Sequence, residues 1–139
     1  MIVEPVREAD LLVPVLRLFP KRDYRRYLEV PLGRKRIDLH CVPRRPDFLA
    51  ACVELKLTDW QTALWQASRN FQLAERSYVA IWHTAAARLE RATSLLDHYG
   101  VGLIIVGPRT AVVARESLDR THRVARRSRH EVYRYLTET

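Results

Sequence analysis

A chain of 139 residues with 47% apolar content has the size of one domain and the material for one packed core, which excludes a disordered polypeptide. Its 24 Lys and Arg against 16 Asp and Glu leave a formal charge of +8, and apolar runs such as Val101–Val106 fall far short of the roughly 20 residues a membrane-spanning helix needs. Cys41 and Cys52 suffice for neither a disulfide scaffold nor a four-ligand zinc site, and the acidic start (Glu4, Glu8, Asp10) lacks a secretory signal's pattern, so a reduced cytoplasmic protein is expected.

In chain order, Leu11, Leu12, Val15, Leu16 and Phe19 recur at helical spacing and predict a helix over 6–19. Pro14 kinks it or marks its true start, and Pro20 ends it. Residues 26–31 alternate weakly as a strand, and Gly33 supplies a hairpin turn within 32–35. Residues 36–42 predict a second strand, with Ile37, Leu39 and Cys41 on one face and Asp38 and His40 on the other. A loop over 43–48 leads to the clearest strand, 50–57. Thr58 or Asp59 caps a helix running to about Ala74, with Trp60, Ala63, Leu64, Ala67 and Phe71 in its apolar stripe. There follow a strand at 77–82, a helix at 85–98 stopped by Gly100, a buried strand at 101–106 and its hairpin partner at 110–114. Residues 117–137 read as a basic helix or helix pair. The expectation is one α/β domain over 1–114, a mixed sheet with helices on its faces, carrying a basic C-terminal helical extension over 115–139.

The positive charge is concentrated. Residues 21–45 carry nine basic and three acidic side chains, and residues 115–139 carry seven arginines against four acids. Residues 46–114 balance at six against six. Two such patches attract phosphate backbones, and nucleic acid is the expected partner. Arg34, Lys35, Arg36, Arg44 and Arg45 in the first patch and Arg123, Arg126 and Arg127 in the second are the candidate contacts. Neither zinc-finger spacing nor a clear helix-turn-helix is visible, so base-specific reading is unsupported.

The sharpest local feature is Val53-Glu54-Leu55-Lys56-Leu57. On a strand, Val53, Leu55 and Leu57 face the core while Glu54 and Lys56 share the opposite face. Charged groups on an apolar strand need pairing, hydration or a metal. Asp38 on the preceding strand also points away from the apolar face, sixteen residues from Glu54, so adjacent strands bring the two carboxylates together. Two such acids repel unless a divalent cation lies between them, and Mg²⁺ takes one or two carboxylates with waters and phosphate oxygens. Lys56 would orient or help deprotonate a water, or neutralise a phosphate. Those are the parts of a metal-assisted phosphodiester hydrolase.

Asp38, then Glu54-Leu55-Lys56 on the next strand, then a helix carrying Gln66, resembles the PD-(D/E)xK nuclease superfamily, with its restriction-endonuclease-like αβββαβ core. The resemblance spans about residues 6–106 and is most specific over VELKLTDWQTALWQASRNFQLAERSYVA, Val53 to Ala80. It implies Asp38 and Glu54 as ligands of Mg²⁺ or Mn²⁺, the Leu55 carbonyl as a third, Lys56 as the catalytic lysine and Gln66 as a helix residue reaching the site or the DNA. It also implies an upstream acid, Glu29 ahead of Glu8, and a homodimer in which each site cuts one strand. The usual Pro before the first acid is Ile37 here. The expected function is a metal-dependent DNA endonuclease in repair, recombination or mobile-element processing. Two other readings stand beside it: a non-catalytic nucleic-acid-binding module on the same fold, and an unrelated α/β interaction protein.

Overall fold

Apolar alternation along the central strands sorts their side chains onto two faces of one sheet. In the computed structural model, which describes residues 4, 5, 7–121 and 137–139, six strands stand in the order β1-β2-β3-β4-β5-β6. They are β1 (Tyr24–Leu32), β2 (Lys35–Pro43), β3 (Ala51–Lys56), β4 (Arg76–Trp82), β5 (Gly102–Val106) and β6 (Ala111–Arg115). β3, β4 and β5 are mutually parallel, while β1–β2, β2–β3 and β5–β6 pair antiparallel. Parallel neighbours require crossovers. Helix α2 (Trp60–Arg69) joins β3 to β4, and α3 (His83–Glu90) with α4 (Thr93–Tyr99) joins β4 to β5. A 3₁₀ turn over Glu8–Leu11 and the short helix α1 (Leu12–Leu16) precede β1. The protein is therefore an α/β fold with a six-stranded mixed sheet flanked by helices, and its first six elements follow the helix, three strands, helix, strand order expected from the sequence.

One face of the sheet packs Val53, Leu55, Tyr78, Ala80, Trp82, Ile104 and Val106 against Leu11, Val15 and Phe19. The other packs Val79, Ile81 and Leu103 against Ala63, Leu64 and Ala67 of α2, Leu89 of α3 and Leu96 of α4. Asp59 rather than Thr58 caps α2, its carboxylate accepting from the Thr62 N–H at 3.3 Å. Gly33 (φ 61°) opens the two-residue β1–β2 turn, and Gly100 (φ 70°) ends α4 in the left-handed conformation. Cys41 and Cys52 are buried among apolar neighbours.

Several expectations need correction. The helix expected over 6–19 is a 3₁₀ turn plus five α-helical residues, because Pro14 has no N–H to donate to the preceding turn and Pro20 follows the segment. The helix expected at 85–98 is broken at Arg91 and Ala92, where the Thr93 hydroxyl donates to the Glu90 carbonyl at 2.6 Å. Of the helix expected over 117–137, residues 117–120 are irregular and 122–136 lie outside the described residues. The chain end returns to the sheet edge, where Glu138 bridges Tyr27 and the Thr139 N–H donates to the Arg26 carbonyl at 2.7 Å. Among the described residues, no helix is long and apolar enough to cross a membrane.

Candidate active site

The site forms where β2 and β3 part. Their register pairs Cys41 with Ala51, His40 with Cys52 and Leu39 with Val53. Beyond Leu39 the Asp38 side chain replaces the ladder, its Oδ2 accepting from the Leu55 N–H at 2.8 Å. Within a strand, a residue's N–H and C=O point to the same edge. The Leu55 carbonyl therefore faces the same opening as Asp38. Asp38, Leu55, Lys56, Leu28, Glu29 and Glu8 line a cavity of about 350 Å³ there.

Glu54 stands at the back of this opening. It is only 2% exposed, and its Oε1 accepts from Asn70 Nδ2 at 2.8 Å. Burial pushes its carboxyl up to about 8, and the Asp38 charge pushes the same way; the Asn70 hydrogen bond and the Lys56 ammonium pull it back. Contact with the Asp38 carboxyl favours the protonated form of Glu54 further. The two carboxyls expected to lie together are close enough to interact.

Glu54 and Lys56 line different cavities. Glu54 points under the end of α2, while half-buried Lys56 turns into the cavity, its Nζ 3.7 Å from Glu8 Oε2. Both upstream acid candidates, Glu8 and Glu29, line the cavity. Glu29 has a left-handed backbone (φ 54°), unusual for a residue other than glycine. The β1–β2 register pairs Leu28 with Leu39 and Val30 with Ile37 and passes over Glu29 and Asp38. Side-chain alternation breaks at the same place. Leu39 and Cys41 join the cluster with α1, but Ile37 joins Tyr27, Val30 and Cys52 on the other face. Ile37, Leu39 and Cys41 thus do not share a face, contrary to the strict alternation.

Gln66 does not reach the cavity that holds Asp38 and Lys56. It lines a smaller one behind Glu54, with Arg36, Arg69 and Asn70, and its buried Oε1 has no hydrogen-bond partner among the described residues. His40, expected on the Asp38 face of the strand, is fully buried. Asn70 and Arg69 were not singled out by the sequence. Asn70 follows Gln66 by four residues and so shares its helical face, a spacing that would have exposed it.

The first basic patch is two patches. Arg34, Lys35 and Arg36 are exposed at the β1–β2 turn, the end of the hairpin beside Lys56. Arg44 and Arg45 follow the far end of β2, about 26 Å away along the strand. Arg44 is tied there to Glu138 and to the Lys21 carbonyl. Arg123, Arg126 and Arg127 lie outside the described residues.

Fold and site define an α/β protein with a carboxyl pair and a lysine at an opening between two antiparallel strands. No family model matches the chain, and no curated protein matches it in sequence. A solved structure from Silicibacter pomeroyi, described as a protein of unknown function, aligns over 94% of this chain and 84% of its own, with 20% identity and a TM-score of 0.68. At that identity the likeness shows the α/β fold alone.

Proposed function

We propose that this chain is a Mg²⁺-dependent nuclease of the PD-(D/E)xK kind that hydrolyses phosphodiester bonds in DNA. The observation that carries the reading is the closeness of the buried Glu54 carboxyl to Asp38, which with Lys56 lines the cavity at the parting of the strands. Bringing two acids together in a buried place is costly without a cation. Among the described residues no three His, Cys, Asp or Glu side chains converge on one point. The donors present suit Mg²⁺ or Mn²⁺ rather than zinc: two carboxylates and the Leu55 carbonyl, with the rest of the shell left to water and phosphate. The ion, when bound, supplies positive charge to the phosphoryl oxygens.

The chain's own groups do the remainder. Asp38, aligned by the Leu55 N–H, holds its charge toward the opening. Glu54 releases its proton when a cation replaces it, a competition expected at any carboxylate site. Lys56 orients the attacking water and offsets the charge of the phosphate. Arg34, Lys35 and Arg36 hold the backbone beside the opening. Two copies cut two strands, and a cytoplasmic setting suits a nuclease of repair, recombination or mobile elements.

The second reading, a non-catalytic nucleic-acid-binding module, is favoured by one feature: Lys56 is already paired with Glu8, and Glu54 with Asn70. Plasmid, branched and single-stranded DNA incubated with Mg²⁺ or Mn²⁺ separates the two. A nuclease cuts, and EDTA or Lys56→Ala abolishes the cutting. A pure binder cuts nothing and binds more tightly once Asp38→Asn removes a negative charge from its surface.

A further inference from the structure

The outer face of α2 carries a large aromatic ring that the fold does not need. The helix buries Ala63, Leu64 and Ala67, yet Trp65 stands 48% exposed on the opposite side. One turn on, the Arg69 guanidinium lies 5.0 Å from the centroid of the Trp65 ring. Arg69 also reaches the β1–β2 turn, 3.4 Å from where a Cβ on Gly33 would stand. Arg34, Lys35 and Arg36 surround that turn. Arg36, Gln66 and Arg69 in turn wall the small cavity behind Glu54. An aromatic platform, a row of four cations and the back of the candidate active site are thus contiguous.

We propose that this face binds an unpaired nucleic-acid strand, with Trp65 stacking on a base while Arg69 and the turn residues hold phosphates. This rests on the nuclease reading only for what is cut, not for what is bound. In a duplex the base faces are stacked inside the helix, and such a protein meets only backbone. A single strand, flap or branch offers a free base face, and stacking on an aromatic side chain holds any base without reading its sequence. That matches a chain without a base-reading module. The charges choose the occupant. In a twofold interface between copies, Arg34, Lys35, Arg36 and Arg69 would meet their own like-charged equivalents, whereas a polyanion is attracted by all four.

The test is a fluorescence titration with a 12-nucleotide single strand and with a duplex of the same sequence, in EDTA so that nothing is cut. Trp82 is buried and Trp60 half-buried, so quenching reports mainly on Trp65. The single strand is expected to quench and to bind at least roughly ten-fold more tightly than the duplex. Trp65→Ala is expected to weaken single-strand binding by between roughly 5- and 100-fold, to leave duplex binding unchanged, and to be rescued by Trp65→Phe. Equal affinity for both forms, or no effect of Trp65→Ala, overturns the proposal. So does a shift from dimer to monomer in sedimentation of Trp65→Ala with single-strand affinity intact. Failure of the nuclease reading looks different: the strand binds through Trp65, yet Mg²⁺ never produces cleavage.

Discussion

Asp38 Oδ2 accepts a hydrogen bond from the Leu55 N–H at 2.8 Å, at the point where the β2–β3 ladder ends. The bond does two things. It satisfies a strand N–H that the ladder no longer pairs, and it fixes the carboxyl beside Glu54. Removing the acceptor altogether is therefore more damaging than removing the charge. Asp38→Ala is expected to cost about 1–3 kcal/mol in urea unfolding, from the unpaired N–H. Asp38→Asn retains an acceptor oxygen and is expected to unfold close to wild type. Both are expected to lose Mg²⁺ binding in calorimetry and at least roughly a hundred-fold in cleavage, since either removes one of the two anionic ligands.

The Glu54 carboxyl makes stability depend on pH. Burial and the Asp38 charge raise it from the ordinary value of 4.5 to about 8 in the folded protein. The folded state therefore binds this proton more tightly than the unfolded chain does. Its stabilising contribution is full below about pH 4.5 and is lost as the pH rises through about 8. Urea midpoints measured at pH 5, 7 and 8.5 are expected to fall in that order, by a total on the order of a few kcal/mol. Glu54→Gln imitates the protonated acid and keeps an acceptor for Asn70, so its midpoints are expected to be nearly flat. Mg²⁺ at millimolar concentration is expected to restore the wild type at pH 8.5 and to leave Glu54→Gln unmoved. A wild type whose midpoint rises between pH 5 and 8.5 would contradict this assignment.

Glu29 places its backbone in the left-handed region at a position where the β1–β2 pairing is interrupted, and its side chain lines the cavity. That conformation costs a residue with a Cβ about 1 kcal/mol or more. Glycine adopts it freely. Glu29→Gly is therefore expected to melt at or above the wild-type temperature while weakening Mg²⁺ binding several-fold. Glu29→Ala keeps the backbone cost and is expected to melt lower than Glu29→Gly. A Glu29→Gly protein with unchanged Mg²⁺ affinity would leave Glu8 as the upstream acid, already placed 3.7 Å from Lys56.

The legible parts of the structure are those set by local pattern. Val53 and Leu55 alternate with Cys52 and Glu54, and the strand forms with the expected faces. The Asp59 cap, the Gly33 turn and the Gly100 stop each rest on one residue's backbone chemistry. What stayed hidden depends on tertiary events. The break in β1–β2 pairing at Glu29 and Asp38 sends Ile37 and Leu39 to opposite faces. Where β2 and β3 part, Lys56 lines a cavity with Asp38, while Gln66 lines a different one with Glu54. The meeting of Asp38 and Glu54 was legible because antiparallel neighbours joined by a short loop bring such positions opposite each other. Arg69 was readable in principle, since an Arg four residues after an exposed Trp on a helix is placed to cover its ring.

Contiguity in sequence misled most over charge. Arg34 to Arg36 and Arg44 to Arg45 lie close along the chain, but they stand at opposite ends of the nine-residue strand β2. The cluster at the turn lies beside Lys56 and the opening, whereas Arg44 is occupied by Glu138 and the Lys21 carbonyl. The two clusters are expected to respond differently to removal. Replacing Arg34, Lys35 and Arg36 together by Ala is expected to weaken DNA binding strongly at 0.1 M salt. It should also reduce the slope of log affinity against log salt by about 0.7 to 0.9 for each phosphate no longer neutralised. Thermal stability should change little, because all three side chains are exposed. Arg44→Ala is expected to do the reverse. It leaves the salt slope within error and lowers the melting temperature, since it cuts the tie between β2 and the chain end. Equal losses of affinity from the two ends would mean that the polyanion lies along the whole hairpin rather than at the opening.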